Sequence, residues 1–176
     1  MNTNRILIVG VIIAIALSLP FYGYRWNLFM HIFGAVLFMG NIMVTAAWAS
    51  MARRAKHTEA LRLGVRGIVV TDTIFTMPGV LLLVLNGGIL GTPFFKAHAM
   101  WLFVSIGLFV VSGIIWGAIL VPLQRRMSAL MKATPPGSAV PPQVDGLLAL
   151  WFRWGGIATL LPLVTLILMV AKPDLR

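Results

Sequence analysis

The sequence predicts an all-α fold, a polytopic bundle of transmembrane helices, from three observations. The 176 residues are 60% hydrophobic and 10% charged, whereas about 25% of the residues in a soluble domain are charged. Apolar stretches of about 20 residues, the length that crosses a ~30 Å hydrocarbon core, recur along the chain. The basic residues lie between these stretches, as they do in membrane proteins. We therefore interpret residues 1–176 as a single integral membrane domain and exclude a soluble enzyme, a secreted domain and a disordered chain.

Five stretches qualify as membrane spans. The fourth is expected to end at Pro122 and the fifth at Lys172 and Pro173, because proline cannot continue a helix without losing a backbone hydrogen bond. The last four spans are expected to form a helical bundle. The predicted spans cover residues 6–22, 26–50, 67–91, 97–122 and 147–171.

The first stretch also resembles a secretory signal peptide. Asn2-Thr3-Asn4-Arg5 precedes the apolar run, and Ala16-Leu17-Ser18 resembles a cleavage site. The amino-terminal region has a single charge, however, and the apolar run continues through Leu19-Pro20-Phe21. We expect an uncleaved helix.

The distribution of Lys and Arg predicts the orientation. The alternate loops 51–66 and 123–146 contain most of the basic residues of the loops, whereas 23–27 and 92–96 contain only Arg25 and Lys96. Because basic loops stay in the cytoplasm, the amino terminus is expected to be cytoplasmic and the carboxyl terminus external, in a bacterial inner membrane. The net charge of +10 is then a topological signal and does not indicate nucleic acid binding. The basic residues of the two loops are Arg53, Arg54, Lys56, Arg62, Arg66, Arg125, Arg126 and Lys132.

Several kinds of chemistry are excluded or disfavoured. The chain has no cysteine, which excludes disulfides, thiolate metal sites and cysteine nucleophiles. It has no glycine-rich phosphate loop, no paired carboxylates and no nucleophile triad, which disfavours hydrolases and nucleotide-dependent enzymes. No catalytic residue is assigned, and whether the protein is an enzyme stays open.

Two histidines within predicted spans are candidate ligands for heme iron. His31 lies in the second span with Gly34, Ala35 and Phe38 on its face, and small residues beside it leave room either for a flat ligand or for a close helix. His98 is expected at the start of the fourth span, so both imidazoles would lie at one depth on the external side. Imidazole is a common axial ligand of heme. Alternatively, each histidine bonds water or a carbonyl near the membrane interface.

Asp72 begins a polar stripe along the third span. Thr76, Gly79, Leu83 and Asn86 share its face, and such a face must be turned to the bundle interior or to a water-filled cavity. One interpretation is a proton-handling carboxylate or a substrate contact. The other is an ion pair with Arg66, Arg53 or Arg54. Lys96 is expected at the membrane interface.

Three sequence blocks resemble a known family. They are 27–40 (NLFMHIFGAVLFMG), 72–79 (DTIFTMPG) and 116–124 (WGAILVPLQ). They resemble a family of small bacterial proteins described as predicted integral membrane proteins of unknown function, over roughly residues 27–171. More distantly, the His-x-x-Gly helix is similar to that of HemJ-type protoporphyrinogen oxidase and of the CopD copper-resistance membrane domain. HemJ-type proteins bind heme b through a histidine and act on porphyrinogen. This resemblance implies that His31 is a heme ligand and that Lys96 or His98 lies near the position where a second basic group is expected.

The sequence leaves two functional hypotheses. The first is a membrane protein that binds heme b through His31 and His98 for redox or proton chemistry in the membrane. The second is a non-enzymatic accessory, assembly or transport-related subunit whose polar residues are structural. In both, the lipid bilayer is the principal partner, and other membrane subunits or a homo-oligomer are further candidates.

Overall fold

The computed structural model describes residues 3–18 and 22–174, and this part of the chain is built from helices and turns, with no strand among these residues. Two π-helical turns, Asp72–Thr76 and Trp116–Leu120, join α3 to α4 and α5 to α6 without a break. The predicted all-α fold is confirmed. The helices are α1 (Thr3–Leu17), α2 (Tyr24–Arg54), α3 (Thr58–Thr71), α4 (Met77–Lys96), α5 (Met100–Ile115), α6 (Val121–Ala133) and α7 (Pro142–Ala171).

Within the described ranges, four continuous helices are long and apolar enough to cross a membrane. They are Tyr24–Arg54, Thr58–Lys96, Met100–Ala133 and Pro142–Ala171. A shorter apolar helix, Leu7–Leu17, precedes them, while residues 19–21 of the first predicted span lie outside the described residues. Large apolar side chains such as Val36, Met43, Ile114 and Ile167 are exposed on the spans, which suits a surface that faces lipid.

The helices are longer than the apolar stretches that predicted them. α2 continues to Arg54 and α3 begins at Thr58, so most of the predicted 51–66 loop is helical. α4 likewise passes Gly91 and Pro93 and ends at Lys96. Hydropathy marks the part of a helix that lies in hydrocarbon, whereas backbone hydrogen bonding continues into the polar ends.

Pro122 does not end the fourth span, contrary to the sequence prediction. The π-helical turn Trp116–Leu120 lies immediately upstream, and the helix continues to Ala133. The turn Asp72–Thr76 stands in the same relation to Pro78. A proline has no N–H for the carbonyl four residues before it and its ring clashes with that carbonyl. A π turn widens the helix by one residue at this point, so that the helix accommodates the proline and continues.

The chain divides into two compact units. The first comprises Met1–Trp48 and Arg66–Pro93, and the second comprises Ala49–Val65 and Phe94–Arg176. In the first unit α1 packs beside α4, with Gly10 against Pro78 and a core of Ala14, Met30 and Leu82. In the second unit α5 and α7 are joined by hydrogen bonds from the Ser112 hydroxyl to the Ala158 carbonyl (2.7 Å) and from the Thr165 hydroxyl to the Ser105 carbonyl (3.3 Å). The prediction of a single domain stays a prediction.

Candidate functional site

His31 lies half-buried on α2, where its side chain contacts α4. Its Nδ1 is 2.9 Å from the backbone carbonyl oxygen of Leu83. Because a carbonyl can only accept, Nδ1 carries the proton in this hydrogen bond, and Nε2 keeps its lone pair. A histidine that ligates a metal commonly has this arrangement, in which one ring nitrogen donates to a carbonyl and the other is free to bind.

Gly87 provides the space for the imidazole ring. A Cβ at this position would lie 2.9 Å from Cε1 of His31 and 3.1 Å from Nδ1, closer than real Cβ contacts. α4 continues past this glycine to Lys96, so Gly87 does not end the helix but admits a side chain from α2.

Gly34 decides between the two alternatives that the sequence left open beside His31. A Cβ at Gly34 would lie 2.7 Å from the Gly79 carbonyl oxygen and 2.9 Å from Cβ of Leu82. The space beside Gly34 is therefore filled by α4, and at this point the small residues serve a close helix and not a flat ligand. Any ligand of His31 must approach from another side of the ring.

Asn86 and Asn27 place buried carbonyl oxygens in the same unit as His31. Asn86 is 0% exposed, and its Nδ2 donates to the Ser18 hydroxyl at 2.7 Å and to the Leu82 carbonyl at 2.9 Å. Asn27 is 1% exposed and donates to the Gly23 carbonyl at 2.9 Å. Neither Oδ1 has a hydrogen-bond partner among the described residues. The described part of the first unit therefore contains two buried acceptors without a partner besides His31.

Asp72 belongs to a second polar cluster, which we call the Asp72 network (Asn41, Thr45, Asp72 and Thr76). The Asn41 amide donates to Oδ1 of Asp72 at 2.9 Å and to the Thr76 hydroxyl at 2.8 Å. The Thr76 hydroxyl is also 3.1 Å from Oδ1 of Asp72, and the Thr45 hydroxyl donates to the Asn41 carbonyl at 2.7 Å. Asn41, Thr45 and Thr76 are buried, and Asp72 is half-buried. The π turn that contains Asp72 and Thr76 thus directs both side chains toward α2.

The described hydrogen bonds of Asp72 Oδ1 come from the Asn41 amide and the Thr76 hydroxyl. Arg53, one of the three arginines that the sequence offered as an ion-pair partner, lies 3.3 Å from Asp145. The ion pair of Asp72 stays a prediction. A pattern of spacings identified the face of Asp72, but not the side chain opposite it.

The other predicted site residues lie elsewhere. His98 precedes α5, contrary to the expectation that it starts a span: it is exposed, has a φ of 53°, and lies in the turn between Lys96 and Met100. It therefore does not share the helical face of Trp101 and Ser105. Lys96 is the exposed last residue of α4. His98 belongs to the second unit and His31 to the first. No group of three or more His, Asp or Glu side chains suited to a metal ion occurs among the described residues.

We expect Asp72→Asn to lower the thermal stability of the purified protein. Oδ1 of an asparagine can still accept from Asn41 and Thr76, but the hydrogen bonds lose their charged acceptor, at a cost of about 1 kcal/mol. Thermal unfolding in detergent compares the variant with the wild type. An unchanged melting temperature would contradict a stabilising role of the Asp72 network.

Comparison with known proteins agrees with the architecture. A family model described as "Predicted integral membrane protein (DUF2269)" matches residues 27–173. The match begins within α2, so that α1 lies outside it, as the sequence blocks indicated. Neither a curated protein nor a solved structure matches the chain. The distant similarity to HemJ-type oxidase and to CopD stays a prediction.

Proposed function

The chain belongs to this family of predicted integral membrane proteins, and we propose that it binds heme b in the bacterial inner membrane, where His31 would hold the iron. The observation that carries the proposal is the hydrogen bond between Nδ1 of His31 and the Leu83 carbonyl oxygen, 2.9 Å long. It orients the ring and keeps Nε2 available for a metal. A histidine within a membrane span is costly unless it has a function or a partner.

The residues of the first unit have separate tasks in this proposal. His31 binds the iron, the Leu83 carbonyl fixes the tautomer, and Gly87 leaves room for the ring. Heme b, when bound, supplies one-electron redox chemistry. The carboxylate of Asp72 in the same unit is the proposed proton-handling group, and hydrogen bonds from Asn41 and Thr76 hold it in place.

His98 is the predicted second ligand. Its exposed position in a turn favours His31 as the residue on which binding depends. The orientation, with a cytoplasmic amino terminus and an external carboxyl terminus, is part of the proposal and follows from the basic loops.

The visible spectrum of the purified protein tests the heme proposal. Protein produced with ample heme supply is expected to show a Soret band that His31→Ala abolishes. The matched control is His57→Ala, which removes an exposed histidine of the second unit. His98→Ala is expected to convert a six-coordinate spectrum to a five-coordinate one if His98 is the second ligand, and to leave the spectrum unchanged if it is not.

A rescue experiment separates loss of the ligand from loss of the fold. Free imidazole added to a His31→Gly variant is expected to restore the Soret band, because it occupies the space that the side chain has vacated. A colourless wild-type protein, or a His31→Ala variant with an unchanged band, would contradict heme binding through His31.

A second function, a non-enzymatic accessory or assembly subunit, is favoured by hydrogen bonds that join polar side chains of different helices. The Asn41 amide bonds Asp72 and Thr76, and the Asn86 amide bonds Ser18. Such contacts between helices stabilise a bundle without a ligand. A colourless protein whose stability falls on substitution of Asn41 or Asn86 would support this function.

A further inference from the structure

A cavity of about 610 Å³ lies within the second unit, away from His31 and the Asp72 network. It is formed where α2 ends and α3 begins, opposite the loop that leads from α6 to α7. Its volume is within the range of small-molecule sites. The lining residues are Ala52, Arg53, Lys56, His57, Thr58, Leu61, Gly137, Ser138, Ala139, Val140 and Asp145.

The charges of the lining favour an anion. Arg53 and Lys56 present cationic groups and His57 an imidazole N–H donor, against a single carboxylate, that of Asp145. Asp145 is already engaged with Arg53, at 3.3 Å. Lys56 and His57 are exposed and have no ion-pair partner among the described residues. They are therefore available to a ligand.

Part of the cavity lining is apolar, and a hydrogen bond joins its two sides. Ala52 and Leu61 are buried, and Val140 is half-buried, so they offer an apolar wall beside the cations. The Thr58 hydroxyl donates to the Ser138 carbonyl, which ties α3 to the opposite loop. The cavity thus combines cationic groups with apolar surface on a protein whose spans lie in lipid.

We propose that this cavity binds a phosphate group, carried by the headgroup of an anionic phospholipid or supplied as free phosphate. Basic pockets at the polar ends of transmembrane helices are suited to anionic headgroups. Lys56 and His57 contact the phosphate, Arg53 adds a guanidinium that can bind two oxygens, and the apolar wall accepts the first part of an acyl chain. The proposal is independent of heme binding.

Titration of the detergent-solubilised protein with short-chain phosphatidylglycerol, and separately with inorganic phosphate, tests the proposal by calorimetry. The wild type is expected to bind phosphatidylglycerol saturably and more tightly than short-chain phosphatidylcholine. Lys56→Asn combined with His57→Gln is expected to weaken binding at least fivefold, since a lysine contributes a factor of about five and the imidazole N–H donor of His57 is lost as well. Asparagine is chosen at position 56 because Lys56 has a φ of 51°, which asparagine tolerates.

Two single variants complete the test. Arg126→Gln removes an exposed cation of α6 that does not line the cavity, and it should leave the affinity within about twofold of the wild type. Asp145→Asn releases Arg53 and removes the one carboxylate, so it is expected to tighten binding about fivefold. A distorted cavity would weaken binding instead, which separates an electrostatic effect from a structural one.

The two titrations identify the source of the phosphate. Saturable binding of phosphatidylglycerol alone assigns the cavity to lipid, and competition by inorganic phosphate assigns it to the phosphate group itself. Equal affinity in the wild type and in the double variant, or saturation by neither phosphatidylglycerol nor phosphate, would overturn the proposal.

Discussion

Replacing Gly34 with alanine is expected to destabilise the first unit by about 3 kcal/mol, the upper part of the range for overpacked interiors. The new Cβ would lie 2.7 Å from the Gly79 carbonyl oxygen and 2.9 Å from the backbone nitrogen of Leu83. Both atoms belong to the backbone of α4, so no side-chain rotation relieves the clash. The two helices must separate, and dispersion contacts along the whole interface weaken.

Gly40→Ala is the matched control on the same helix. A Cβ at Gly40 has no heavy atom within 4 Å, so alanine there is expected to be neutral or slightly stabilising. Unfolding of both variants in a detergent–denaturant titration gives the comparison. A Gly34→Ala variant as stable as Gly40→Ala would show that α2 and α4 are not held at the distance that the structure describes.

Separation of α2 from α4 would also affect His31. The hydrogen bond from Nδ1 to the Leu83 carbonyl crosses the same interface, a few residues from Gly34. We therefore expect Gly34→Ala, but not Gly40→Ala, to weaken heme binding if His31 is the ligand. The close packing of Gly34 against Gly79 thus links the stability of the unit to the proposed site.

The architecture was predictable because hydropathy and charge act over long segments. The spans from α2 to α7 correspond to apolar stretches of about 20 residues. In lipid, a single segment can pair all of its backbone N–H and C=O groups only as a helix. The end of α7 at Ala171, before Lys172 and Pro173, also followed from the sequence. The ends of the other helices could not be predicted from the sequence, because the polar turns beyond the hydrocarbon core have no hydropathy signal.

Partners across a helix interface were not predictable from spacing. The face of Asp72 was correct, and Thr76 lies on it, but Asn41 was missed although it is a polar residue in an apolar span. Asn27 was also missed, although it lies one turn before His31 on α2. A helical repeat defines which residues share a face, while the residue opposite depends on the packing of two helices.

Local backbone conformation was the second feature that could not be predicted from the sequence. His98 has a φ of 53°, which is uncommon for a residue other than glycine, and no residue type at its neighbours indicates it. The π turns before Pro78 and Pro122 follow from the properties of proline, but a proline can equally end a helix. The choice depends on whether the segment beyond is held by tertiary contacts, as α6 is.

Arg62 binds two carbonyl groups at the end of α6, and Arg62→Ala is expected to destabilise the second unit by roughly 3 kcal/mol. The Arg62 guanidinium donates through Nη1 to the Met131 carbonyl and through Nη2 to the Thr134 carbonyl at 2.7 Å. Carbonyls in the last turn of a helix have no partner within the helix. Met131 and Thr134 are buried, so water replaces the lost donor poorly.

Arg62→Lys and Arg126→Ala test whether the two hydrogen bonds of the Arg62 guanidinium, and not its charge alone, stabilise the end of α6. Lysine keeps the charge but presents a single ammonium group, which does not reproduce the geometry of two parallel N–H donors. We therefore expect Arg62→Lys to behave like Arg62→Ala. Arg126→Ala, which removes an exposed arginine of α6, is expected to behave like the wild type. Thermal unfolding measures the overall loss of stability. Trypsin cleavage after Lys132, which lies between the two carbonyls that Arg62 binds, measures the local opening of α6 and should accelerate in both Arg62 variants. If trypsin cleaved Arg62→Lys at the wild-type rate, the charge of residue 62, and not its pair of hydrogen bonds, would hold this end of α6 in place.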